Sequence, residues 1–172
     1  MFAGWENFYF MLGSAAAGLI GLLFVVVTLT GGLERSQAMR GAALYLTPNV
    51  FHFAMVVTTS AVAIAPRLPA WAPEIVVGLL ALLGLGHCLR ATIGIRHFRP
   101  GSEAPHWSDV WFYGRAPAAI YFGLAAAAVG VSARMALAPY ALAGLLLALL
   151  LLSIRNAWDL VTSLAHRHGD AG

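Results

Sequence analysis

The sequence has no lysine, one cysteine and very little charge, and each shortage excludes something. All ten basic residues are arginine. A retinal protein needs a lysine for its Schiff base and a P-loop needs one for phosphate, so neither reading is open. The single cysteine, Cys88, cannot form an intrachain disulfide, so there is no disulfide framework. Only 10% of the 172 residues are charged and 60% are apolar. Soluble domains carry about 25% charged residues. A chain this poor in charge cannot cover a water-facing surface, and its mean hydropathy of +0.81 points to lipid as the main solvent. The pI of about 9.5 does not signal nucleic acid, because the arginines mark loop edges and form no basic stripe.

What is there is long apolar runs. A spanning helix needs about 20 mostly apolar residues. Five windows qualify: Phe8–Leu29, Ala43–Ile64, Trp71–Ile95, Val110–Val131 and Leu137–Val161. They predict an all-α, five-helix membrane bundle forming one domain, 1–172. The connections are short, and the prolines of "APRLPAWAP" force a stop and a restart. The first span reads as a retained helix, because "MFAGWENF" has no positive region and the small residues of "GSAAAG" precede the aliphatic stretch.

Arginine placement predicts the orientation. Arg35, Arg40, Arg90, Arg96, Arg99, Arg115, Arg155 and Arg167 fall on one side, and only Arg67 and Arg134 on the other. The positive-inside rule then puts the N-terminus outside and the C-terminus in the cytoplasm. Trp5, Trp71, Trp107, Trp111 and Trp158 fall near span ends, as an aromatic belt requires. Gly13, Ala17 and Gly21 on the first span, and Ala119, Gly123 and Ala127 on the fourth, form small-residue grooves for helix packing within the chain or between copies. No internal repeat is evident, which disfavours an inverted-repeat transporter.

Polar side chains inside spans are candidates for function. Helical spacing puts Tyr45, Asn49, His52, Thr59 and Ser60 on one arc of the second span. His87 shares a face of the third with Leu80, Gly84, Ala91 and Gly94, with Arg90 one step round. Arg115 shares a face of the fourth with Trp111, Ala119, Phe122 and Ala126. Arg155, Asn156, Asp159 and Ser163 cluster on the fifth. Nearly all of these lie in the cytoplasmic half, which predicts a polar pocket open to the cytoplasm and closed outward by an apolar layer. Its members are Asn49, His52, His87, Arg90, Arg115, Asn156 and Asp159. Asp159 opposes its helix dipole and needs a cation: Arg155 lies four residues before it, in the weaker order for a helix, and Arg90 or Arg115 across the bundle is at least as plausible a partner. Against this stands snorkelling, in which arginines near span ends reach the headgroups without a partner.

Several chemistries use these residues. A proton or anion could be handled in the pocket, since an imidazole titrates near neutrality. His52 and His87, at matched depth, could ligate a b-type haem, with room for a porphyrin face at Gly84 and Ala91. No other cofactor is expected. The loop set His97, Glu103, His106 and Asp109 and the tail set His166, His168 and Asp170 lack tight metal-ligand spacing. No G-x-S-x-G or H-E-x-x-H is present, so an enzyme is disfavoured, although His52, His87 and Asp159 could act as acid and base on lipid headgroups. A structural or assembly subunit of a larger membrane complex is the competing reading, and the partners are the bilayer and further membrane chains.

The opening "WENFYFMLGSAAAGLIGLLFVVVTL" and the closing "IRNAWDLVTSLA" resemble the ends of a group of small multi-spanning bacterial inner-membrane proteins. The resemblance implies a bacterial inner-membrane location and no activity.

Overall fold

The computed structural model describes residues 4–30, 38–69, 71–97 and 107–169. It is all-helical among the described residues. The helices are α1 (Glu6–Thr30), α2 (Ala38–Ile64), α3 (Trp71–His97), a short α4 (Trp107–Val110), α5 (Ala116–Ser132) and α6 (Ala138–Gly169). A π-helical turn, Trp111–Arg115, joins α4 to α5 without a break. Among the described residues, five stretches are long and apolar enough to cross a membrane: Glu6–Val26, Thr47–Ile64, Trp71–Ile93, Trp111–Ser132 and Ala138–Thr162. They overlap the five windows expected from the sequence.

The helix ends follow from local chemistry. Pro66 stops α2, and Arg67 turns the chain with a φ of 60°. At the end of α5, Arg134 takes the left-handed conformation with φ 56°. The amide of Met135 donates to the Gly130 carbonyl and that of Arg134 to Val131, each at 2.9 Å. This is a Schellman closure with arginine where glycine is usual, at a cost of roughly 1–2 kcal/mol.

The helices form a ring in the order α1, α2, α3, α5, α6, and α2 also touches α6 across it. That contact divides the bundle into a three-helix side (α1, α2, α6) and a four-helix side (α2, α3, α5, α6). Small residues set the close crossings, as expected where lipid removes the hydrophobic drive between helices. Gly84 of α3 lies under the Tyr121 ring, and Gly114 lies under the Thr92 hydroxyl. A Cβ at Gly123 would lie 3.0 Å from Leu145, and one at Gly13 would lie 3.0 Å from Ser60.

The two expected grooves are split. Gly13 packs inward on α2, but Ala17 is exposed and Gly21 faces open space. Likewise Ala127 is buried while Ala119 is exposed. At one end Trp5 meets Tyr140 edge-on at 5.1 Å, joining the start of α1 to the start of α6. At that end Ser132 also donates to Glu74 at 2.7 Å, tying α5 to α3.

Candidate functional site

The four-helix side carries a polar centre. Along α2, Asn49, His52, Thr59 and Ser60 are all buried, so the polar arc expected from helical spacing does face inward. His52 is 1% exposed, and its Nδ1 lies 2.8 Å from the hydroxyl of Tyr121 on α5. This bond crosses the diagonal of the four helices. Tyr121 reaches it because α3 offers no side chain at Gly84; a Cβ there would overlap the Tyr121 ring. His87 of α3 completes the group. Its ring is 6.1 Å from that of His52, at 85°, and stacks flat on Phe51 at 4.2 Å. Nε2 of His87 is buried with no hydrogen-bond partner.

The depth of this centre follows from the α3–α5 contacts. Glu74 meets Ser132, Gly84 meets Tyr121, and Thr92 meets Gly114. At 1.5 Å per residue, Tyr121 is about 16 Å from the first of these contacts and about 10 Å from the last. The histidine pair therefore lies well inside the bundle, nearer the end that carries Arg115 and Asn156. The prediction that His52 and His87 share one depth agrees with this placement.

Asn49 is fully buried one turn from His52, and neither its amide nitrogen nor its oxygen has a partner. Ser60 Oγ is also buried without one. A buried polar atom left unpaired costs about 1–3 kcal/mol, so these groups hold hydrogen-bonding capacity that the fold leaves unspent.

Asn156 behaves differently. Pro117 has no N–H, and the Ala116 amide bonds back to the Trp111 carbonyl in the π pattern. The Phe112 carbonyl thus loses both donors its own helix would have supplied. Asn156 Nδ2 donates to it at 3.0 Å. Tyr113 returns the contact, donating its hydroxyl to the Asn156 carbonyl at 3.0 Å. Arg155 donates to Asn156 Oδ1 at 3.1 Å and lies over the Phe112 ring, 3.4 Å from its centroid. Asn156 therefore pins α6 to the π turn and is fully committed there.

Arg90, Arg115 and Asp159 are all exposed. Arg90, one turn from His87 on α3, acts on that ring through its charge, whereas Arg115 and Asp159 are not brought to the histidines. Trp111, Ala119, Phe122 and Ala126, the face assigned to Arg115, are exposed with it, so that face looks outward. No ion pair forms among the described residues, and the expected partnership of Asp159 with Arg90 or Arg115 is not made. The buried stripe of α6 runs through Leu142, Leu146, Leu149, Ser153, Asn156 and Leu160, which leaves Asp159 to one side. Glu103, His106 and Asp170, and the side chains of Tyr45, His97, Asp109, Ser163, His166 and His168, lie outside the described residues.

Tyr121, Phe112 and Pro117 were not among the residues expected from sequence. A tyrosine in the middle of an apolar span was the available signal, because a buried phenol seeks a partner. Tyr121 also bears on the haem reading: its ring fills the notch at Gly84 where a porphyrin face was to lie, and Phe51 covers His87. No family model, no curated protein and no solved structure matches the chain.

Proposed function

We propose that the chain is a channel- or transporter-like protein of a bacterial inner membrane that handles a proton or small anion through the His52–His87 centre. The orientation that accompanies this reading is N-terminus outside, with the Arg115–Asn156 end in the cytoplasm, following the arginine bias. One observation carries it: two imidazoles 6.1 Å apart inside a membrane-type bundle, with His87 Nε2 buried and unpaired. Ionisable groups at such depth are expensive and mark solute or proton paths by default. Among the described residues no carboxylate contacts the pair, which favours a proton or an anion over a metal cation.

The test is flux in proteoliposomes, followed with a pH-sensitive dye for protons and a chloride-sensitive dye for anions. His52→Phe and His87→Phe should each abolish the conducted species. Full flux in both variants defeats the reading.

A structural subunit of a larger membrane complex is the second reading. It is favoured by Ala17, Gly18 and Gly21 of α1, where small residues face outward and a Cβ at either glycine would meet nothing within 4 Å. A stable partner co-purifying from the native membrane, together with no flux from the isolated chain, would support it.

A further inference from the structure

We propose that Tyr121 is the positioning residue of the histidine pair: seated on Gly84, it donates its hydroxyl to Nδ1 of His52 and holds that ring as its Nε2–H tautomer. The proposal rests on the transport reading for its functional consequence, but the tautomer can be established without any flux.

The direction of the bond follows from an accounting of protons. Tyr121 is fully buried, and its hydroxyl has one polar partner, Nδ1 of His52 at 2.8 Å. Either direction satisfies this bond and leaves one proton elsewhere: on the buried phenol oxygen if the ring N–H donates, on Nε2 if the phenol donates. Nε2 of His52 is not among the fully buried unpaired atoms, so the second arrangement strands no fully buried proton. A phenol is also the better donor of the two and an imidazole nitrogen the better acceptor. Nδ1 is then bare, and the ring proton sits on Nε2. A neutral histidine has one donor nitrogen and one acceptor nitrogen, so fixing one fixes the other.

Gly84 makes this possible. The phenol must cross from α5 to α2 through the space beside α3, and that space exists because position 84 has no Cβ. Phe51 stacks on the far partner and fixes the His87 ring in turn. Both imidazoles are thus oriented by aromatic neighbours, one through a hydrogen bond and one through a face.

The experiment uses full-length protein labelled with nitrogen-15 in its histidines, in lipid nanodiscs. The His52 signals are identified by their loss in His52→Asn. Protonated and bare ring nitrogens give widely separated resonances. The wild type should show His52 with Nδ1 bare and Nε2 protonated. Tyr121→Phe keeps the ring in its seat and removes only the hydroxyl, and should give a mixture of tautomers. Gly84→Ala keeps both bonding partners but displaces the phenol, and should reproduce that mixture. A protonated Nδ1 in the wild type, or a His52 spectrum unchanged in Tyr121→Phe, overturns the assignment.

Flux supplies the functional half. Loss of one hydrogen bond between neutral groups corresponds to about a tenfold effect. Tyr121→Phe should therefore lower maximal proton or chloride flux about tenfold at unchanged half-saturating concentration. A shifted tautomer with undiminished flux overturns the positioning role. Lack of flux in the wild type overturns the transport reading, whereas the spectra decide the Tyr121–His52 arrangement on their own.

Discussion

Asn49 and Asn156 are the same residue at the same burial, and the fold uses them in opposite ways. Each is fully buried. Asn156 serves the backbone: it supplies a donor to a carbonyl that Pro117 and the π turn have stripped. Asn49, two helices away on the ring, has an amide that bonds to nothing. The first is what a structural polar residue looks like, with both its amide nitrogen and its oxygen bonded within the chain. The second carries a desolvation cost and receives nothing back within the chain. Burial alone does not separate structural from functional polar groups, but the account of their hydrogen bonds does.

The comparison can be broken by mutation, and the largest effect is expected at the satisfied end. Asn156→Leu leaves the part-buried Phe112 carbonyl without its donor, and should destabilise by about 1–3 kcal/mol. Thermal unfolding in detergent will show this as a lowered midpoint. Tyr113→Phe removes the return contact and leaves Asn156 in place, and a loss of about 1 kcal/mol is expected in the same assay. At Asn49 the sign reverses. Asn49→Leu replaces two unpaired polar atoms by an apolar group of the same branched shape, so stability should hold or rise, by up to about 1 kcal/mol. A destabilised Asn49→Leu would show that the amide has a partner after all and would collapse the contrast. The smallest effect belongs to Asp159→Asn. The carboxylate is exposed and forms no ion pair among the described residues, so stability should change by less than about 0.5 kcal/mol, with flux unaltered.

Much of this was legible beforehand, for identifiable reasons. The five spans were readable because a bilayer demands length and apolarity, both of which are local properties. The inward polar arc of α2 was readable because an unbroken helix keeps its phase at 3.6 residues per turn. The depth match of His52 and His87 needed only counting. The misplacements have a different origin. Spacing correctly put Arg115 on one face with Trp111, Ala119, Phe122 and Ala126, but a mostly apolar face does not declare whether it meets protein or lipid. In a bilayer both are apolar surroundings. Asp159 was grouped with Asn156 on a common arc, yet the edge of the packed stripe falls between them. The Tyr121–His52 bond joins helices far apart in sequence across a diagonal, and no periodicity encodes it. The π turn was hidden because counting at 3.6 residues per turn assumes that no residue is surplus.

That surplus has a consequence for how this chain can change length. A π turn is an α-helix that has absorbed one extra residue. Removing Trp111 would take up that surplus while everything from Ala116 onward keeps its facing. Removing Ala119 instead would twist the preceding segment by about 100° relative to Tyr121 and uncouple the two ends of the helix. Deletions should therefore be absorbed at the turn and rejected one or two turns later, and a scan of single-residue deletions read by folded yield would trace that boundary.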